Sequence, residues 1–180
     1  MIKNNERISI DQMKEEVVKG FNVSGKRHLL ITGSKGIGKT TLLREILKDR
    51  KNYGGINTRL VFEKADHPEY LLLEDALDYK KYTIIGKINN KFNRMIPIID
   101  GFETFGVETL KKYRKSSVEL IIFDEIGYLE ETTTNYQEEI FNCFNEKEVI
   151  AIIRKESNIF LDKIKILNDT YIIDLDDIIF

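Results

Sequence analysis

The segment Gly33-Ser34-Lys35-Gly36-Ile37-Gly38-Lys39-Thr40 carries glycines, a lysine and a hydroxyl at the spacing G-x-x-x-x-G-K-[ST]. Residue types in this order can enclose a polyphosphate. The glycines let the backbone turn tightly, so that successive N–H groups converge on anionic oxygens. Lys39 is placed to reach the β- and γ-phosphates, and the Thr40 hydroxyl to ligate Mg²⁺. The apolar run His28–Thr32 leads into the loop, and Thr41–Leu47 leads out with helical character. A strand before the loop and a helix after it would aim the positive helix end at the same phosphates. The pattern predicts a nucleoside-triphosphate site made by Gly33, Ser34, Lys35, Gly36, Ile37, Gly38, Lys39, Thr40 and Thr41.

A phosphate loop needs an acid to help hold the metal. The apolar stretch Val118-Glu119-Leu120-Ile121-Ile122-Phe123 reads as a buried strand, and it runs straight into Asp124-Glu125-Ile126-Gly127. This is the Walker B arrangement, which delivers a carboxylate to the sheet edge where the loop sits. Asp124 is thus assigned to Mg²⁺ through a bound water, and Glu125 to orienting or deprotonating an attacking water. By itself the acid pair would be no more than the start of a solvated loop. Beside the phosphate loop it favours hydrolysis, because a kinase must exclude water and position an acceptor instead.

The elements that must position these groups follow from periodicity. Ser9 and Gln12 have capping-box spacing ahead of an apolar face of Met13, Val17 and Val18, with Gly20 as the stop. A strand is expected at about 28–32, then the loop, then a helix to about Arg50, broken by Asn52-Tyr53-Gly54-Gly55. The runs Ile56–Phe62, Tyr70–Leu73, Tyr82–Ile88 and Met95–Ile99 predict an antiparallel meander, inserted in or flanking a parallel sheet. A helix at about 102–115 precedes the strand that ends at Asp124. The last third alternates: helix at about 134–146, strand Glu148–Ile153, helix at about 157–166, strand Thr170–Leu175. Alternation of this kind implies an α/β fold, with a parallel sheet covered on both faces.

Length and composition fit one domain over residues 1–180, in which 1–25 form a helical extension. Twenty-eight basic against 30 acidic residues leave no surplus to coat a nucleic acid, so nucleic-acid binding is disfavoured. The polar first residues predict no signal peptide, and no apolar run approaches the roughly 20 residues of a membrane span. The lone cysteine, Cys143, excludes an intrachain disulfide. Together these favour a reducing cytoplasm.

The quoted residues also resemble a family. GSKGIGKTTLLREIL, the Asp-Glu-Ile-Gly block and Ile150-Ala151-Ile152-Ile153-Arg154 are similar to the thermophilic-type nucleoside-triphosphatase family, whose human member is called cancer-related NTPase. Gly55-Ile56-Asn57-Thr58-Arg59 and Asp100-Gly101-Phe102-Glu103-Thr104-Phe105-Gly106 extend the likeness, which covers about residues 27–167. The resemblance implies a P-loop NTPase three-layer sandwich with a RecA/AAA-like core. It also implies Mg²⁺-dependent hydrolysis of ATP, GTP and other triphosphates with weak base selectivity. After the acidic block the family has a Lys-Met-Glu-like stretch, where this chain has Tyr128-Leu129-Glu130. Arg59 and Arg154 match arginine positions of the family and are carried forward as phosphate-facing groups, set against ordinary surface salt bridges.

Other candidates read as structural. Cys143 sits among Ile140, Phe141 and Phe144 with no activating neighbour, which predicts core packing. His28 and His67 lack ligand-like companions for zinc. Tyr53 and Phe62 are expected to pack rather than stack on a base. The leading expectation is a hydrolase in which Lys39 and Glu125 are catalytic and Thr40 and Asp124 organise the metal. The alternatives are a phosphotransferase acting on a small acceptor and a nucleotide-dependent switch that binds a protein partner.

Overall fold

The computed structural model describes residues 8–64, 67–89, 91–92 and 94–178. Among the described residues eight strands form one sheet: β1 (His28–Thr32), β2 (Tyr53–Lys64), β3 (His67–Asp75), β4 (Asp78–Asn89), β5 (Arg94–Pro97), β6 (Leu120–Ile126), β7 (Glu148–Ile153) and β8 (Thr170–Asp174). Their order is β5-β4-β3-β2-β6-β7-β1-β8. From β2 to β8 all neighbours are parallel, while β2 to β5 form the antiparallel meander. The meander therefore flanks the parallel sheet and shares β2 with it.

The apolar runs are continuous because both faces are covered. Odd and even residues of each strand go to opposite layers. Ile121, Phe123, Val149, Ala151 and Ile153 pack with α4 (Val107–Arg114), α5 (Asn135–Glu146) and α6 (Ile159–Lys165). Leu120, Ile122, Ile150 and Ile152 pack with α1 (Ile10–Ser24) and α2 (Lys39–Leu47). This is the expected α/β sandwich. The meander is covered less evenly. Its Leu73 and Ile85 are buried against Phe102, but Tyr82, Ile84 and Ile96, on the face of Asn57, are 54%, 38% and 46% exposed. Phe62 is also exposed, and the packing expected of it is not observed.

Three local expectations are corrected. Gly20 does not stop α1, which continues to Ser24 and ends on the left-handed Gly25. Gly20 is instead a packing glycine: a Cβ there would lie 2.5 Å from the Tyr171 hydroxyl on β8. Tyr53-Gly54-Gly55 does not lie in a break but opens β2, paired with β6. Gly55, at φ +140°, approaches the next strand so closely that a Cβ would lie 2.1 Å from the Ile122 carbonyl oxygen. The helix expected from 102 begins earlier, as α3 (Ile99–Gly101), and passes through a π turn (Phe102–Gly106) before α4. The capping box of Ser9 and Gln12 forms as read.

Gly55→Ala should cost more than about 3 kcal/mol, because strain at positive φ adds to a backbone clash that cannot relax. Gly20→Ala, which meets only the movable tip of Tyr171, should cost clearly less. Urea denaturation of the two variants checks the order; equal costs would mean the Gly55 approach is not the constraint.

Candidate active site

The parallel register brings the chemistry to one sheet edge. Ile31 of β1 and Asp124 of β6 both pair with Ile152 of β7, so the ends of the three strands are level. The loop after β1, the acids of β6 and Arg154 after β7 converge there. They enclose a cavity of about 680 Å³, lined by loop residues with Thr40, Thr41, Glu125, Arg154 and Lys155.

The loop takes its shape from Gly36 and Gly38, at φ +80° and +109°. Lys39 opens α2, is only 9% exposed, and its ammonium donates to the Gly33 and Ser34 carbonyls at 2.8 and 3.0 Å. The buried ammonium is thus satisfied by loop carbonyls beneath the cavity. Ser34 donates through its N–H and hydroxyl to Asp176, at 2.9 and 2.8 Å. Lys155 donates to the same Asp176, which holds that carboxyl below its usual range, with Ser34 adding to the effect. Ile37 turns away from the cavity, and its side chain packs with the α1–α2 layer.

Thr40 and Asp124 meet directly: the hydroxyl donates to the carboxylate at 3.0 Å. Burial pushes the Asp124 carboxyl up from its ordinary value, opposed by the Thr40 hydrogen bond, and Glu125 raises it further; Arg44 and Lys39 pull it down. Among the described residues no three acidic, His or Cys side chains cluster as a metal cage. That donor set, one hydroxyl and one desolvated carboxylate, fits Mg²⁺, which keeps several waters and is completed by substrate phosphates.

Glu125 faces the cavity and accepts from Nε of Arg154 at 2.5 Å. Of the two arginines read from sequence, only Arg154 reaches this site. Arg59 is held by Glu74 on the meander at 2.6–2.7 Å and does not line the cavity. Its strand passes the sheet edge at Asn57, the last β2 residue paired with β6, so Arg59 lies beyond the level of Asp124. Cys143 is fully buried and its thiol is pushed well up by burial, as a packing role requires. His28 is buried edge-on against Phe144, with its pKa lowered to about 4 mainly by desolvation. The side chain of His67 lies outside the described residues.

Two groups escaped the sequence reading. Glu130, in a short 3-10 turn (Leu129–Thr132), is 4% exposed and accepts the Gly127 N–H at 3.0 Å. Its burial was invisible locally; the only signal was a third acid soon after Asp124 and Glu125. Asp176 follows β8 and meets the loop only through the fold, so no local pattern marks it.

A sheet with a glycine-rich loop, a buried lysine and a hydroxyl–carboxylate pair at its parallel edge defines the class, an α/β phosphate-loop nucleoside-triphosphatase. Comparisons with known proteins agree. A family model described as NTPase matches residues 28–178. The chain is 31% identical over 160 residues to nucleoside-triphosphatase THEP1 of Thermotoga maritima, across 83% of this chain and 86% of that protein. It is 26% identical over 144 residues to the protein of the same name from Methanocaldococcus jannaschii, with 75% and 83% covered. The crystal structure of THEP1 from the hyperthermophile Aquifex aeolicus matches the fold with a TM-score of 0.65 at 22% identity, over 84% of this chain and 96% of that one. The chain belongs to this nucleoside-triphosphatase family, and it is a hydrolase of nucleoside triphosphates. No helix among the described residues is long and apolar enough to cross a membrane.

Burial raises the Glu130 carboxyl to a pKa of about 7, against the pull of the Gly127 N–H and of Arg154. A folded value above the unfolded one means that the native state binds the extra proton, so stability falls as pH rises from about 4.5 through about 7. Glu130→Gln keeps an acceptor for Gly127 and removes the charge. The variant should unfold at a higher temperature than the parent at pH 8, and the difference should vanish near pH 5. Thermal midpoints at the two pH values measure this.

Proposed function

We propose that the chain is a Mg²⁺-dependent triphosphatase with broad base selectivity, acting on ATP, GTP and other nucleoside triphosphates. The observation that carries the reading is the Thr40–Asp124 hydrogen bond, set beside buried Lys39 and across one cavity from Glu125. The backbone of Gly36–Thr40 and the Lys39 ammonium bind the β- and γ-phosphates, while Thr41 at the helix start takes the next phosphate inward. Thr40 and Asp124 hold the metal, which when bound screens the charge that develops on the phosphate oxygens. Glu125 orients a water and takes its proton as the water oxygen bonds to the γ-phosphorus. The bond from that phosphorus to the β–γ bridging oxygen breaks, and the nucleoside diphosphate leaves with the electron pair. Arg154 turns its guanidinium from Glu125 toward the transferred group.

Weak base selectivity fits a cavity whose lining residues address phosphates. A cytoplasmic setting fits the lone buried Cys143, and the near-neutral charge balance speaks against nucleic acid as a partner.

Phosphate release from ATP, GTP, CTP and UTP with Mg²⁺ tests the reading. All four should be hydrolysed, and removal of Mg²⁺ should abolish turnover. Lys39→Ala should lose triphosphate binding. Glu125→Gln should retain binding and lose about 10²–10⁴-fold in kcat. Unchanged turnover in Glu125→Gln would remove Glu125 from the mechanism, and hydrolysis of a single base would overturn the broad selectivity.

A further inference from the structure

Arg154 sits in a tailored seat. Its backbone N–H donates to the Ile126 carbonyl at 3.0 Å, which fixes its Cα beside the end of β6. Its stem then passes over Gly127 so closely that a Cβ there would lie 3.0 Å from Cδ of Arg154. Its guanidinium carbon lies over the Tyr128 ring, 5.3 Å from the centroid, while Nε engages Glu125. The Tyr128 ring is itself held from the meander. Its hydroxyl donates to the Met95 carbonyl of β5 at 3.2 Å, and the Arg94 guanidinium lies over the ring at 4.9 Å.

The arrangement has a physical purpose. A flexible arginine loses rotamer freedom when it is fixed in one place. The ring offers it a broad attractive surface that does not consume its hydrogen-bond donors, and that still attracts the cation after it rotates. Glu125 takes a single donor of the guanidinium, and exposed Glu156 meets another only at 3.3 Å. Arg154 can therefore exchange its hold on Glu125 for a phosphate oxygen while remaining over the ring.

We propose that Tyr128 is a positioning residue for hydrolysis: its ring, moored to β5, holds Arg154 at the γ-phosphate end of the cavity. The proposal rests on the phosphate-facing reading of Arg154. Arg94 and Met95 bring the edge strand of the meander into the same assembly.

The test compares Tyr128→Leu and Tyr128→Phe, each alone and in an Arg154→Ala background, with Mg²⁺ and ATP. Tyr128→Leu should lower kcat and kcat/KM together by about ten-fold, the mark of an interaction felt in the transition state. Tyr128→Phe, which keeps the ring and loses only the tether to Met95, should retain at least half of the rate. In the Arg154→Ala background, Tyr128→Leu should produce no further loss. Thermal midpoints of the same proteins separate loss of fold from loss of positioning, and the rescue by Phe holds whatever the stability of the Leu variant. If Arg154→Ala lowers kcat but Tyr128→Leu does not, or if Tyr128→Leu costs the same factor without Arg154, the positioning role is overturned alone. If Arg154→Ala leaves kcat intact, the reading of Arg154 falls and takes the proposal with it.

Discussion

The site depends on the parallel pairing of β1, β7 and β6. Parallel strands from successive β–helix–β units all finish at one edge, so three loops far apart in sequence begin at a common level. Through that register Gly33 leaves β1 beside the point where Asp124 leaves the buried part of β6. The inner strand β7, whose Val149 to Ile153 are all fully buried, is the spacer that sets their separation. β7 alone lies between them, about 5 Å from β1 on one side and from β6 on the other, so the loop and the acid leave their strands about 10 Å apart. The apolar alternation that buries these strands between two helical layers is therefore also what sets the spacing of loop and acid.

The antiparallel part is fastened to this core by buried charges. Asp75, 1% exposed at the β3–β4 turn, accepts from the Lys112 ammonium at 2.7 Å and from the Tyr113 hydroxyl, both on α4. Arg114, at the end of the same helix, bridges Glu139 and Glu146 of α5 at 2.5 Å. Each buried carboxylate meets a specific partner, which is the condition for placing charge in the interior without a large penalty. The Asp75 contacts fix where the meander hangs on the helical layer, and the Arg114 pairs lock α4 to α5, rather than adding much net stability. Glu103, which accepts the Thr134 and Asn135 N–H groups ahead of α5, completes the same seam.

Features encoded over a few consecutive residues were legible from sequence. The phosphate loop, the acids ending β6, the Ser9 capping box and the strand Glu148–Ile153 all carry their own local signal. The glycines were misread where their reason was distant. Gly20 and Gly55 look like breaks in a linear reading, yet each makes room for a neighbour brought in by the fold, Tyr171 in one case and the Ile122 backbone in the other. The same limit hid Glu130 and Asp176, since burial and an approach to Ser34 across the sheet are properties of tertiary packing. Arg59 and Arg154 were equivalent on charge alone. Only the level at which each strand leaves the sheet separates them, and that level is set by register with strands read much later in the chain.

The sheet is thicker at one end than at the other. Its parallel half lies between two helical layers, whereas the outer meander presents Tyr82, Ile84 and Ile96 to solvent on one side. Native proteins open first where burial is thinnest, and β5 is a four-residue edge strand with one partner. Yet β5 carries the carbonyl and the arginine that moor Tyr128, one van der Waals layer from Arg154. Fraying of that edge takes from the Tyr128 ring both of the groups that β5 sets against it. A marginal strand, remote in sequence from the glycine-rich loop, thereby governs the surroundings of the ring over which Arg154 lies.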